Sequence, residues 1–207
     1  MPTIKLHRYP LSGHSHRVEL FLSILGLEAE IIDVDLANGE HKQEAFLKKN
    51  IFGQVPVLED GPITIADSNA ILVYLASKYD SKRNWFPLGN EESAEVQRFL
   101  SIAAGEIAHG PASARLVTVF GAELDQDTLI KQSHALLETL EAHLNNRDWL
   151  AGEQATIADI SNYTYIAHAP EGNVSLNGYP NIRAWLKRVE DLPGFIAMQT
   201  TAVGLAA

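Results

Sequence analysis

Residues 53–71 read Gly53-Gln54-Val55-Pro56-Val57-Leu58-Glu59-Asp60-Gly61-Pro62-Ile63-Thr64-Ile65-Ala66-Asp67-Ser68-Asn69-Ala70-Ile71. Val55-Pro56-Val57-Leu58 and Ile63-Thr64-Ile65 are β-branched or apolar runs. They flank Glu59-Asp60-Gly61-Pro62, a compact turn signal that predicts an antiparallel hairpin. Asp67-Ser68 then opens a helix whose apolar positions are Ile71, Leu72, Tyr74 and Leu75.

Working back from this stretch, residues 40–49 predict a short polar helix, and Glu30 to Asp35 a strand. Val18, Leu20, Phe21, Leu22, Ile24 and Leu25 give an apolar face at helical spacing over Ser15–Leu25, with Gly26 as its stop. Residues 3–8 alternate and end at Tyr9-Pro10, a strand running into a turn. The order is β-α-β-α-β-β-α, an α/β layer on one sheet, which the closing hairpin makes mixed. Working forward, residues 81–89 read as a linker. Helical spacing follows over 91–120, 126–145, 156–169 and 180–190, with Gly110-Pro111 as an expected kink. The expected organisation is an α/β domain over 1–80 and an all-helical domain over 90–207, with Thr200–Ala207 frayed.

The chain has 207 residues, and 16 Lys plus Arg against 26 Asp plus Glu leave a net charge of −10. That balance, with no basic stripe, argues against a nucleic-acid partner. No cysteine is present, which excludes disulfides, thiolate metal sites and a protein thiol nucleophile. Any sulfur chemistry must use a sulfur that arrives with a ligand. No apolar run is long enough to span a bilayer, and the first residues do not read as a secretory signal, so no membrane partner and a cytoplasmic setting are expected.

Four segments carry chemistry or capping. In Tyr9-Pro10-Leu11-Ser12-Gly13-His14-Ser15-His16-Arg17-Val18, a hydroxyl at a strand-to-helix junction faces unpaired amide groups that favour an anion, or it simply caps the helix. A thiol held there ionises more readily than usual. Pro56 is either a plain edge-strand proline or a cis proline that turns Val55 outward to pair with an extended peptide. Asp67-Ser68 is either an N-cap or a cradle for a carboxylate, with Asp67 placed to receive an ammonium. Thr156 with Asp159 spells a capping box, a structural reading. His14 and His16 are two residues apart, which turns them away from each other on a helix, so no metal is expected.

Taken together and in this order, GQVPVL (53–58), ADSNAI (66–71), WLAGEQATIADI (149–160) and PLSGHSHRVELFLSILGL (10–27) resemble the cytosolic glutathione S-transferases over nearly the whole chain. The last segment is similar to serine-type bacterial branches. The resemblance implies a thioredoxin-like first domain, a helical second domain, a homodimer, and glutathione as co-substrate for attack on a small, hydrophobic electrophile. It makes Ser12 the hydroxyl that stabilises the thiolate, with Tyr9 as rival. It makes His41, Gln54, Val55, Pro56, Asp67 and Ser68 the glutathione-binding set. An electrophile site between the domains is implied, drawing on Leu11 and on Ala108, His109, Ala112, Arg115, Leu116 and Phe120. The spacing of His109, Ala112 and Arg115-Leu116 predicts a shared helix face, although such an arginine is often simply paired. Asn50-Ile51 replaces a more usual Asn-Pro, and Asp67 a more usual Glu. The resemblance also leaves open a glutathione-fold binding or regulatory protein, or a glutathione-dependent isomerase or peroxidase.

Overall fold

The computed structural model describes residues 4–207. Thr3, where the first strand was expected to begin, lies outside the described residues, as do Met1 and Pro2 of the expected first domain. The chain divides into two compact units: residues up to Arg83 together with Pro193–Gln199, and Asn84–Leu192 together with Thr200–Ala207.

The first unit runs β1 (Ile4–Arg8), α1 (Gly13–Ile24), β2 (Ala29–Asp33), a 3-10 turn (Glu40–Lys42), α2 (Glu44–Leu47), β3 (Val57–Asp60), β4 (Ile63–Ala66) and α3 (Ser68–Tyr79). The sheet order is β2-β1-β3-β4. β1 pairs parallel with β2 and antiparallel with β3, and β3 pairs antiparallel with β4, so the sheet is mixed as expected. Leu6 and Leu58 from the sheet and Val18, Leu20, Phe21, Ile71, Leu72 and Leu75 from α1 and α3 are all fully buried. Their removal from water is the main stabilising term, about 2 kcal/mol for each large side chain. The expected helix over 40–49 shortens to the 3-10 turn and the four residues of α2. Only Phe46 of that helix is buried, in a small cluster with Val34 and Val57. One anchored apolar residue gives little reason for a longer helix.

Asp60, at the end of β3, is 2% exposed and accepts from Tyr74 OH at 2.9 Å, Tyr79 OH at 2.6 Å and Lys78 Nζ at 2.6 Å. Three α3 side chains thereby fix that helix to the hairpin. Gly26, at φ +64°, follows α1 in the left-handed conformation expected of a stop.

The second unit contains α4 (Asn90–Ala104), a π turn (Ala108–Ala112), α5 (Ser113–Phe120), α6 (Gln126–His143), α7 (Ile157–Ala167) and α8 (Pro180–Glu190). The single kinked helix expected over 91–120 is therefore corrected to two helices and a π turn. α4 stops at Gly105, whose ψ of −94° leaves the helical region. Pro111 lacks the N–H that an α-helical turn requires there, and two residues on Ser113 Oγ donates to the Ala108 carbonyl at 2.8 Å. The helix expected over 126–145 ends as a 3-10 turn at Leu144–Asn146. That expected over 156–169 ends at Ala167, before a 3-10 turn at Ala169–Gly172.

The capping box at Thr156 and Asp159 is present. Fully buried Asp159 accepts from the backbone N–H of Thr156 and of Leu150 and from the Trp185 indole, each at 2.9 Å. The terminus expected to fray at Thr200–Ala207 is docked. The Thr201 N–H donates to Glu171 Oε1 at 2.9 Å, and Gly204 (φ +60°) sits where a Cβ would meet the Glu171 carbonyl oxygen at 2.7 Å. Its anchor is a carboxylate thirty residues away in sequence, which local composition does not reveal.

Candidate active site

The turn from β1 into α1 is closed by local hydrogen bonds. Ser12 N–H donates to the Tyr9 carbonyl at 3.0 Å, and Tyr9 N–H donates to Ser15 Oγ at 3.2 Å. Ser12 is the N-cap residue of α1, and its Oγ accepts from Ser15 N–H at 3.3 Å. Capping occupies a lone pair, and the hydroxyl keeps its hydrogen to donate. The cap and a ligand-facing donor are thus compatible roles for one side chain. Ser12 and Tyr9 are both partly exposed on this turn.

α3 starts in the same unit with Asp67 as N-cap at φ +75°, its Oδ1 accepting from Ala70 N–H at 2.9 Å. Ser68, the first helical residue, is only 3% exposed. Its Oγ accepts from Arg17 Nη1 at 3.1 Å and lies 3.4 Å from His14 Nδ1. α1 packs on α3, and this contact joins the two helix N-termini in one corner. Burial first, and the neighbouring Arg17 second, push the His14 pKa down to about 3, so its imidazole is neutral near pH 7. His16 points elsewhere and donates through Nε2 to the Ile196 carbonyl at 2.9 Å. Among the described residues, no three His, Asp or Glu side chains form a group able to hold a metal ion.

The segment leading into β3 is built on a second set of contacts. Gly53 (φ +57°) approaches the His41 backbone so closely that a Cβ would lie 2.6 Å from the His41 carbonyl oxygen. Lys42 Nζ donates to the Phe52 and Gly53 carbonyls at 3.1 and 2.9 Å. Asn50 Nδ2 donates to the Gln54 carbonyl at 2.8 Å, and its Oδ1 accepts from Phe52 N–H at 3.0 Å. His41 and Gln54 are thus brought together by Gly53, ahead of the Val55–Pro56 peptide bond, which is cis. Lys42 and Asn50 shape the segment before Pro56, and Arg17 joins α1 to α3; of these, motif reading assigned no role to Lys42 or Arg17.

The electrophile candidates do not form one face. Leu11 is partly exposed on the β1–α1 turn of the first unit. In the second unit, His109 is exposed, with Nδ1 donating to the Gly105 carbonyl at 2.9 Å, and Ala108 is partly buried. Leu116 and Phe120 are exposed at 42% and 44%, whereas Ala112 and Arg115 are buried at 5% and 2%. The π turn changes the register between residues 109 and 115, which overturns the shared face expected from α-helical spacing. Arg115 Nε donates to Glu171 Oε2 at 2.5 Å, and Glu171 Oε1 accepts from His168 Nδ1 at 2.9 Å. Burial acts to raise the Glu171 carboxyl. The donors from Thr201, His168 and Arg115 outweigh it and hold the group below the usual carboxylate range. Arg115 is therefore engaged as a buried partner of an internal anion.

Residues 2–77 match the sequence profile of the glutathione S-transferase N-terminal domain, and residues 86–193 that of the C-terminal domain. Glutathione S-transferase 3 of Zea mays is 32% identical over 206 residues, covering 94% of this chain and 92% of the maize protein. A crystal structure of glutathione S-transferase from Pseudomonas fluorescens Pf-5 superposes with a TM-score of 0.89 at 30% identity, covering 95% of this chain and 99% of that one. A glutathione transferase homologue from Drosophila mojavensis, solved with bound glutathione, gives 0.82 at 33% identity, with 93% and 90% covered. The two profile matches, which together span most of the chain, and the relatives aligned over nearly all of it place it in the cytosolic glutathione S-transferase family.

Proposed function

We propose that this glutathione transferase ionises the thiol of its co-substrate glutathione at the N-terminus of α1, through a hydrogen bond donated by Ser12. The thiol proton leaves to solvent, and the thiolate attacks carbon of a small, hydrophobic electrophile, either expelling a leaving group as an anion or adding across a polarised double bond that then takes up a proton from solvent. The observation that carries this reading is the joining of the two helix N-termini, with His14, two residues beyond Ser12, reaching Ser68 at the start of α3. The first N-terminus offers a hydroxyl and the positive end of a helix dipole to a sulfur anion, and the second offers a hydroxyl and a like dipole to a carboxylate. Neutral His14 adds no competing charge between them.

In this reading the γ-glutamyl end of glutathione rests on Asp67 and Ser68, its backbone pairs with Val55 ahead of Pro56, and its glycyl end lies toward His41 and Gln54. Asp67 Oδ1 is shared with the Ala70 amide, which leaves a second carboxylate oxygen for an ammonium. Lowering the thiol pKa by one unit stabilises the thiolate by about 1.4 kcal/mol. The α1 dipole and one donated hydrogen bond are together sufficient for a shift of this size or larger. For the electrophile, Leu11 remains the candidate in the first unit, and Ala108, His109, Leu116 and Phe120 those in the second. Buried Ala112 and Arg115 support the π turn and α5 from within. We place the enzyme in the cytoplasm as a homodimer, on the strength of the family resemblance. Sedimentation that finds only monomer at micromolar concentration overturns the dimer.

The test is calorimetric titration with reduced glutathione, followed by turnover with a panel of aryl and alkyl electrophiles. Ser12→Ala is expected to bind glutathione nearly as well as the wild type and to lose about a hundredfold in kcat, the scale of one lost anion-stabilising donor. Undiminished turnover in Ser12→Ala transfers the role to Tyr9. Absence of binding at several millimolar favours a binding or regulatory protein that retains only the fold.

A further inference from the structure

Arg17 lies one turn into α1 and is 1% exposed. Its Nη1 donates to Ser68 Oγ at 3.1 Å and to Asn69 Oδ1 at 3.2 Å, so one nitrogen holds the first two residues of α3. A guanidinium has five donors and no acceptor, so Arg17 can occupy only a lone pair of the Ser68 oxygen. The hydroxyl hydrogen of Ser68 is thereby directed away from Arg17. In the unliganded chain its neighbour is His14 Nδ1, at a long 3.4 Å. A contact of that length is weak, and an incoming carboxylate is a much stronger acceptor for the same hydrogen.

A cation also stands at this buried joint between the two helices. An apolar side chain of similar volume would join α1 to α3 without the cost of removing a cation from water. A guanidinium beside the first turn of α3 instead adds a full positive charge to a helix end that already favours anions.

From this arrangement we infer that Arg17 is a positioning residue for the transferase reaction. It fixes Ser68 Oγ as a donor to the γ-glutamyl α-carboxylate of glutathione and reinforces that end of α3 as an anion site. The inference rests on the glutathione reading given above and goes beyond it by assigning how the carboxylate end is set. Arg17 acts through Ser68 and through its charge, without touching the thiol. Its removal should therefore weaken glutathione binding and leave the chemical step alone.

The experiment compares wild type, Arg17→Met, Arg17→Gln, Arg17→Lys, Ser68→Ala and the Arg17→Met/Ser68→Ala pair, each checked by circular dichroism for native fold. Glutathione affinity is measured by calorimetry, and kcat and KM with one nitroaryl halide. Arg17→Met is expected to raise Kd and KM for glutathione about tenfold, the scale of one charge-assisted contact, with kcat within about twofold. Arg17→Lys recovers most of the affinity, and Arg17→Gln, a neutral donor, falls between. In the Ser68→Ala background, Arg17→Met adds about twofold or less. A glutathione analogue whose γ-glutamyl α-carboxylate is an amide binds more weakly to the wild type and with little discrimination to Arg17→Met. A general structural role would not produce that pattern.

Losses in Arg17→Met and Arg17→Lys that are equal, or that add fully to Ser68→Ala, reduce Arg17 to a brace between helices and overturn the inference. If Arg17→Met does not fold, Arg17→Gln and Arg17→Lys with the amide analogue make the same discrimination. Wild type that binds glutathione while Arg17→Met binds it equally well overturns this assignment alone. Wild type that does not bind glutathione overturns the site reading and this assignment together.

Discussion

Replacing Asp159 by alanine tests how far one carboxylate holds the helical unit together. Read from sequence, Asp159 closes a capping box, and losing a cap costs about 1 kcal/mol. The structure gives the same carboxylate two further duties. Besides the Thr156 N–H, it accepts from Leu150 N–H, nine residues upstream, and from the Trp185 indole on α8, with all these groups buried. Alanine leaves three buried donors without an acceptor, at about 1 kcal/mol or more each. The expected loss is about 3 kcal/mol at pH 7, or a fall in Tm of roughly 6–12 °C for a chain of this length.

The pH dependence of that loss has a defined sign. Burial pushes the Asp159 carboxyl up to about 6, against the pull of its hydrogen-bond donors. The folded chain therefore binds this proton more tightly than the unfolded chain. The stability this group contributes falls as pH rises from about 4 to 6. The gap between wild type and Asp159→Ala should thus be wider at pH 5 than at pH 7, by about 1 kcal/mol. Urea denaturation at both pH values, followed by far-UV dichroism and by Trp fluorescence, measures it. A loss below about 1 kcal/mol at pH 7 would refute the reasoning, leaving Asp159 as a cap and nothing more.

Gly53→Ala should cost about 1–2 kcal/mol for a side chain at φ +57°, because alanine is strained in that conformation. It should also raise the glutathione KM, because the new Cβ presses on the His41 carbonyl; scanning calorimetry and initial rates check the two effects separately. Asp60→Asn should destabilise the first unit by about 2 kcal/mol at pH 7, through loss of the charged acceptor shared by Tyr74, Lys78 and Tyr79. Burial acts to raise the Asp60 carboxyl, but bonds from Lys78, Tyr79 and Tyr74 outweigh it and hold it below its ordinary value. Its contribution is thus present above about pH 4 and disappears as pH falls through the depressed value. An acid titration in which wild type and Asp60→Asn lose stability in parallel below pH 4 would contradict this.

The sheet and the helices around it were legible because the signals that define them are local. An alternating strand, a Gly-Pro turn and an Asp-Ser helix start each act within a few residues of chain. The same locality made Ser12, Asp67 and Ser68 visible as candidates, since the letters that suit a helix cap also suit an anion site. Of the two readings open for Arg115, substrate contact or simple pairing, helical spacing could not choose, because it describes which residues share a face and not which face is covered. The partner of Arg115, Glu171, lies 56 residues on. Arg17 escaped notice for a related reason, since its acceptors on α3 stand 51 and 52 residues away. The break of the long helix at Gly105 and the π turn at Pro111 were half legible. Gly110-Pro111 signalled a disturbance, but a proline alone does not say whether the chain kinks or widens into a π turn.

The segment Pro193–Gln199 belongs to the first unit, where the carbonyls of Gly194 and Ile196 accept from Ser23 Oγ and His16 Nε2 on α1. Those acceptors lie 171 and 180 residues further along the chain than the groups they serve. During synthesis, α1 emerges early and must wait for nearly all of the helical unit to be made before these two partners exist. Through that interval a nascent first unit has its sheet but not the strand of chain that closes over α1. Its final consolidation is therefore an event that follows translation of the second unit, although its residues come first.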